Sequence, residues 1–301
     1  MMSKNPKLIV IVGPTASGKS ELAVNLAKKL NGEIISADSR QIYRGLDIGT
    51  AKPTKKEMRG IPHHLMDVAG PEKVFTVFDF KKLAEKKIQE TVRRGKIPII
   101  VGGTGFWIDA LVFDMEFPRV LPNQKFRREL SKKSAAELLE ILRKLDPYRA
   151  KTVEQKNPRR LIRAIEITRA LGYVPKLFKK ESPYNVLWIG LNPKEKLLKK
   201  RIARRADTMI TRGLIQETKK LLKGGVGKKR IRELGFEYRA ALNYIEGKIS
   251  RKEFHSDIMK ETRQYTRRQM VWFKKNKEIH WLANPAQAGK LTKYFLNKIR
   301  R

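Results

Sequence analysis

Gly13-Pro14-Thr15-Ala16-Ser17-Gly18-Lys19-Ser20 stands between the apolar run Leu8-Ile9-Val10-Ile11-Val12 and a stretch of helical periodicity from about Glu21 to Leu30. The pattern G-x-x-x-x-G-K-S in a strand-loop-helix context is a phosphate-binding loop, or P-loop. Gly13 and Gly18 permit backbone angles that turn successive N–H groups inward, and the following helix offers its positive dipole end. Lys19 is placed to reach terminal phosphates and Ser20 to ligate Mg²⁺. Gly13 through Ser20 are therefore expected to bind a polyphosphorylated ligand. The loop alone leaves open whether that ligand is a nucleotide such as ATP or another diphosphate.

Outward from the loop, strands alternate with helices. Glu33-Ile34-Ile35-Ser36-Ala37 reads as a strand delivering Asp38-Ser39-Arg40-Gln41 at its carboxyl end, and His64 to Val68 as a third strand. Residues 78–94 have helical periodicity, and Lys96 to Val101 form a strand running into Gly102-Gly103-Thr104-Gly105. Such alternation specifies a parallel, doubly wound sheet, so the expected fold class is α/β with a P-loop NTPase-like parallel sheet core. Ligands collect at the carboxyl ends of strands in these sheets; the loop, Asp38 and Thr104 are expected to converge there.

From Phe117 to Pro183 the pattern turns helical and basic, with helices over Ala135 to Leu145 and Arg159 to Leu171. The expected organisation is a first part of the core over 1–116, an inserted, mainly helical domain over 117–183, and a second part of the core with a basic helical C-terminal region over 184–301. That last region begins with a returning strand at Val186 to Leu191 and a long basic helix from about Lys194. Gly224-Gly225-Val226-Gly227 marks a break, residues 250–275 form a final basic helix, and the tail from Asn284 is expected to be peripheral.

The 301 residues carry 68 Lys+Arg against 30 Asp+Glu, a formal net charge of +38, which points to a polyanionic partner and first to nucleic acid. The excess is uneven: residues 1–120 hold 20 basic and 13 acidic residues, residues 121–301 hold 48 and 17. A small-ligand half is thereby separated from a polyanion-binding half. The absence of cysteine excludes disulfides, thiolate nucleophiles and Cys-ligated zinc, and fits a reducing, cytoplasmic location. No apolar stretch approaches the ~18–20 residues that span a bilayer, so neither membrane insertion nor secretion is expected.

Asp38, a carboxylate at a strand end facing bound phosphates, is the candidate general base. Ser39, Arg40 and Gln41 add hydrogen-bonding groups able to grip a base or ribose. Thr104 sits between glycines that permit close approach of a ligand, although Gly102-Gly103-Thr104-Gly105 reads equally well as a tight turn without chemistry. His63-His64 points to opposite faces of an extended segment and suits a structural role. Trp107 and Trp188 read as core, whereas Trp272-Phe273 lies in a basic helix where stacking on bases is open. Arg159, Arg160 and Arg163 recur at helical spacing along one face, as do Arg263, Arg267 and Arg268 with Gln264 and Gln269. Lys199-Lys200-Arg201 with Arg204-Arg205 reads as a phosphate-clamping lid.

Taken together, 13–20, Ser-Ala-Asp-Ser-Arg-Gln-Ile-Tyr (36–43), Ile-Pro-His-His-Leu (61–65) and Pro-Ile-Ile-Val-Gly-Gly-Thr-Gly (98–105) form an ordered set. With Arg159-Arg160-Leu161-Ile162-Arg163-Ala164, Met209-Ile210, Gly213-Leu214 and Thr-Arg-Gln-Tyr-Thr-Arg-Arg-Gln-Met-Val-Trp-Phe (262–273), the chain resembles the tRNA dimethylallyltransferase family over nearly its whole length. The resemblance implies transfer of a dimethylallyl group from dimethylallyl diphosphate to N6 of the adenosine 3′ of the anticodon, releasing pyrophosphate, by an enzyme for which a monomer suffices. It implies Asp38 as the base, Thr104 near the reacting amine and the diphosphate, Mg²⁺ on Ser20, and an adenosine flipped out of the anticodon stem-loop. It also implies tRNA contacts at Asp38, Ser39, Arg40, Gln41, Thr104, Arg127 and the segment Arg159, Arg160, Leu161, Ile162 and Arg163. Arg159 stands where the family usually has Gln, and Asp109 where a basic residue is usual. Two other chemistries use the same residues: a nucleotide kinase with Arg201 to Arg205 as its lid, and an RNA-stimulated NTPase.

Overall fold

A computed structural model of the chain describes residues 5–297. The chain divides into two compact units, one reaching Asp114 and resuming at Lys180, the other Met115–Lys179. The larger unit runs β1 (Lys7–Val12), α1 (Lys19–Leu30), β2 (Gly32–Ser36), α2 (Lys55–Met58), β3 (His63–His64), α3 (Val77–Arg93), β4 (Ile97–Val101) and α4 (Gly105–Val112). The smaller unit holds α5 (Gln124–Leu130), α6 (Ala135–Leu145), α7 (Pro147–Thr152) and α8 (Pro158–Leu171). The larger unit then continues with β5 (Asn185–Leu191), α9 (Glu195–Thr211), α10 (Leu214–Lys223), α11 (Lys228–Leu234), α12 (Phe236–Ile245), α13 (Arg251–Phe273), β6 (His280–Leu282) and α14 (Ala288–Asn297).

The strands form one parallel sheet in the order β3-β2-β4-β1-β5-β6. Leu8 to Val12 of β1 are fully buried, the continuous apolar run of a strand covered on both faces. Leu8, Val10 and Val12 pack on one face with Ile35, Ile100 and Trp188. Ile9 and Ile11 pack on the other with Ile34, Ile99, Ile189 and the buried side of α1. The register pairs Ile11 with Val101, Ser36 with Val101 and Val12 with Gly190, so the carboxyl ends of β1, β2, β4 and β5 lie level.

The expected third strand ends after two residues. Leu65 and Asp67 have left-handed φ of 62° and 56°, which breaks the extended run, and only a bridge between Tyr43 and Ala69 follows. The tail from Asn284 is not peripheral throughout: Ala288 and Thr292 of α14 are buried, and Leu291 and Phe295 pack on the α1 side of the sheet. β6, which sequence patterning did not reveal, pairs Ile189 with His280 at the sheet edge. Trp107 and Trp188 lie in the core as expected, Trp107 stacked on Phe80 at 4.6 Å.

Four helices enclose the core of the smaller unit, where Leu130, Leu138, Leu142, Leu161 and Ile165 cluster. Ser134 and Glu137 cap α6 reciprocally. α8 starts at the Asn157 cap with Pro158 in its first turn and stops at Gly172, whose φ of 82° is left-handed.

One buried carboxylate fastens the sheet edge. Glu33 accepts from Arg94 Nη2 at 2.5 Å and Lys96 Nζ at 2.9 Å and meets His64 Nε2 at 2.7 Å. Burial opposes its ionisation, but these hydrogen bonds outweigh burial and hold the carboxyl down at about 2. Because the folded value lies below that of the unfolded chain, the stabilisation is complete above the ordinary carboxylate range and is lost as pH falls through about 2. Glu33→Gln is expected to cost about 1.5–3 kcal/mol at pH 7, the range for hydrogen bonds to charged groups, because the cations it leaves are partly exposed. Urea unfolding followed by circular dichroism at pH 7 and pH 3 checks this, with the variant less sensitive to acid than the parent.

Candidate active site

The loop after β1 is shaped by its backbone. Ser17 N–H donates to the Pro14 carbonyl at 3.1 Å, and Ala16 and Gly18 adopt left-handed φ of 65° and 94° before α1 begins at Lys19. The Ser17 hydroxyl is buried without a hydrogen-bond partner among the described residues. Lys19 Nζ donates to the Pro14 carbonyl at 3.3 Å. Desolvation pulls the Lys19 ammonium down to about 8, opposed by the Asp38 charge and reinforced by Arg205.

The end of β2 is tied to the end of β4. Ala37 N–H donates to Val101 O at 2.8 Å and Thr104 N–H to Ala37 O at 3.3 Å. A Cβ on Gly102 would lie 2.2 Å from that Ala37 oxygen, so only glycine fits. Thr104 Oγ1 accepts the Ser39 N–H at 3.1 Å and lies 3.3 Å from the Ser39 hydroxyl. The Thr104 side chain also hydrogen-bonds Tyr265, whose phenol burial pushes up to about 12, with the Asp38 charge adding to the shift. Asp38 Oδ1 accepts the N–H groups of Arg40 at 2.9 Å and Gln41 at 3.4 Å. Its Oδ2 accepts no hydrogen bond among the described residues.

Asp38, Lys19, Ser20, Gln41, His63 and Arg205 line one cavity of about 220 Å³. Convergence of the loop and Asp38 is thus met, with Thr104 behind Asp38 as its neighbour Ser39's partner. The two histidines do point apart: His63 lines the cavity while His64 meets Glu33. Arg40 and Gln41 are more engaged than the sequence suggested. Arg40 Nη1 donates to Glu233 O at 2.6 Å, and the Gln41 amide is shared among Ser36 at 3.3 Å and the carbonyls of Thr50 and Ala51 at 3.5 and 3.4 Å.

Distant helices complete the cavity. Arg201 of α9 donates to Ser17 O at 2.8 Å, and Arg205 one turn later donates to Thr50 O at 3.3 Å. Burial lowers the Arg205 pKa, with Glu237 and Asp38 opposing; the same burial raises the Glu237 carboxyl to about 7. From α13, Gln269 Oε1 accepts Thr15 N–H at 2.8 Å while its Nε2 donates to Gly103 O at 3.1 Å. Sequence reading grouped Gln269 with the exposed Arg263, Arg267 and Arg268; it lies on the buried side with Thr262 and Thr266, a spacing of three and four that would have revealed it. Trp272 is half-exposed beside Phe106, and Phe273 is buried.

The smaller unit corrects part of the expected RNA surface. Leu161 is fully buried in its core, so that side chain has no surface for RNA, and Ile162 packs against the same cluster. Arg127 donates through Nε at 3.0 Å and Nη2 at 2.6 Å to the buried Glu166, which Arg163 also meets at 2.6 Å. These two arginines hold the unit together first. Arg159 and Arg160 are exposed at the start of α8, Arg160 beside Glu154 at 3.3 Å. Asp109 is buried in α4.

A glycine-bounded loop, two desolvated cations and a strand-end carboxylate surround one cavity at the carboxyl edge of an α/β sheet. A family model described as IPP transferase matches residues 41–276. A tRNA dimethylallyltransferase of Pelotomaculum thermopropionicum is 42% identical over 94% of this chain and 93% of its own length. The crystal structure of the tRNA isopentenylpyrophosphate transferase of Bacillus halodurans is similar at a TM-score of 0.74, 36% identity and 98% coverage of both chains. Crystallographic snapshots of a eukaryotic dimethylallyltransferase acting on tRNA align at a TM-score of 0.84 and 26% identity, covering 98% of this chain and 80% of that one. The chain belongs to the IPP transferase family.

Gln269→Ala removes the bridge between the loop and the Gly103 turn, three hydrogen bonds counting that from the Thr15 hydroxyl at 3.2 Å, worth about 1 kcal/mol each. Affinity for magnesium diphosphate, measured by titration calorimetry, is expected to fall roughly tenfold or more.

Proposed function

We propose that this chain transfers the dimethylallyl group of dimethylallyl diphosphate to N6 of the adenosine 3′ of a tRNA anticodon and releases pyrophosphate. The observation that carries the reading is Asp38, one oxygen held by two backbone N–H groups and the other without a donor among the described residues, on the wall of a cavity that also presents Lys19 and Arg205. Kinship with tRNA dimethylallyltransferases supplies the acceptor and the transferred group.

The reaction needs charge management at both ends. As the C1–O bond of the donor breaks, negative charge grows on the departing diphosphate, and preorganised cations in a desolvated site stabilise it. Lys19, Arg205 and the N–H groups of the loop meet that need. The adenine amine is a weak nucleophile because its lone pair is delocalised, so its proton must leave as the new C–N bond forms; Asp38 accepts it. Thr104 acts through Ser39 and Tyr265 to keep the Asp38 turn in place. The adenosine leaves its stack to enter the cavity, and the basic surface, including exposed Arg159 and Arg160, draws in the tRNA backbone.

The residues also fit Mg²⁺. Ser20 offers a hard oxygen donor on the cavity wall. No cluster of three or more His, Cys, Asp and Glu side chains forms a metal cage among the described residues. Mg²⁺ would then be held by Ser20 and the donor's own phosphate oxygens, the usual arrangement for this reluctantly dehydrated ion. When bound it would offset the charge of the leaving diphosphate. No helix among the described residues is long and apolar enough to cross a membrane.

The test is incubation with unmodified tRNA, dimethylallyl diphosphate and Mg²⁺, followed by mass spectrometry of the digested nucleosides. A dimethylallyl mass gain on the adenosine 3′ of the anticodon is expected, and no gain on any such tRNA would defeat the reading. Asp38→Ala should lower turnover by about a hundredfold or more while tRNA still binds; retained turnover would remove Asp38 from the role of base.

A further inference from the structure

A second cavity, of about 270 Å³, adjoins the first. Ala51 and Arg205 line both, so the segment carrying Ile48 to Pro53 is a shared wall. That wall is braced from behind. Glu217 of α10 accepts three successive backbone N–H groups, from Asp47 at 2.9 Å, Ile48 at 2.8 Å and Gly49 at 3.0 Å, and the Tyr238 hydroxyl at 2.7 Å. A Cβ on Gly49 would lie 2.5 Å from the Tyr238 ring, so the brace demands glycine there. The braced segment then offers Thr50 O to Arg205 and to Gln41.

The second cavity has an apolar floor of Ile48 and buried Met209, and its rim carries Arg201, Arg204, Arg205 and Arg212. Arg201, Arg204 and Arg205 repeat like charge at three- and four-residue spacing, which works against a helix, and Asp207, three residues after Arg204, is taken by His255 at 2.8 Å. Arg201 is aimed at the P-loop carbonyl of Ser17. Arg204 has no hydrogen-bonded or ion-paired side chain among the described residues. Arg212 acts on Glu57, the one acid on the wall, whose carboxylate already accepts the Thr54 N–H and hydroxyl at 2.8 Å each. Lys52, the remaining cation, is bound to Asp47 at 2.6 Å, Asp67 at 2.5 Å and the Tyr43 carbonyl at 3.0 Å. The cavity therefore has a surplus of guanidinium donors, whose planar fork matches phosphate oxygens. Its concavity and its common wall with the first pocket favour a small phosphate anion over a polynucleotide backbone.

We propose that this second cavity is a binding site for inorganic diphosphate, which takes the leaving group from the first pocket across the Ala51 and Arg205 wall and holds it before release. No bond is made or broken in the step. The proposal rests on the reading that the first pocket handles a diphosphate.

Equilibrium titration of the full chain with magnesium diphosphate tests it without RNA and without turnover. The parent chain is expected to bind two diphosphates, the Arg204→Ala/Arg212→Ala variant one, and the Arg204→Lys/Arg212→Lys variant two. Lys19→Ala should weaken the other site and leave the second cavity filled. One diphosphate per parent chain, or two retained in the alanine pair, overturns the proposal. Filter binding of tRNA to the alanine pair is expected to stay within about twofold of the parent; a tenfold loss with unchanged diphosphate stoichiometry assigns the arginines to RNA and also overturns it. Two diphosphates on a chain that prenylates no tRNA would sink the proposed reaction and leave this site standing.

Discussion

The complete burial of Leu8 to Val12 is the constraint on which the rest of the structure depends. A strand that is apolar on both faces can be satisfied only in the middle of a covered parallel sheet. Placed there, β1 has β4 on one side and β5 on the other, with β2 next beyond β4. The segments that leave these strands at their common end are then the loop of 13–18, Asp38 to Gln41, and Gly102 to Thr104. Chemistry at this end follows from packing in the middle.

What the sheet brings near, cross-links from the C-terminal helices hold. Gln269 joins the loop after β1 to the turn after β4, and Arg201 and Arg205 reach the loop and the 47–53 wall. The result is a cavity with more positive than negative charge, taken out of water. Burial pulls the Lys19 pKa down to about 8, and the Asp38 charge opposes the fall. Such a site is electrostatically incomplete until an anion arrives, which is the property a polyanionic leaving group requires.

Local signals were legible from the residues, and long-range ones were not. The loop, the central strands, Asp38 and α6, with its boundaries at Ala135 and Leu145, could be read because turn chemistry, caps and periodicity are written within a dozen residues. Gln269 lies 254 positions from Thr15, and nothing near either residue announces the other. β6 is three residues long and acquires its meaning only from pairing with β5. Leu161 stands among arginines in the linear motif, but the helical face it shares with Ala164 and Ile165 turns it inward. Arg127 and Arg163 stand at positions where the resemblance implies tRNA contacts, but their first partner is Glu166 within their own unit.

The most direct test is a crystal structure with Mg²⁺ and a donor analogue whose bridging oxygen is replaced by sulfur. The diphosphate is expected on the backbone N–H groups of Ala16, Gly18, Lys19 and Ser20 and on the Lys19 ammonium, with the allylic carbon toward Asp38. A diphosphate bound elsewhere, or an allylic carbon facing away from Asp38, would contradict this expectation.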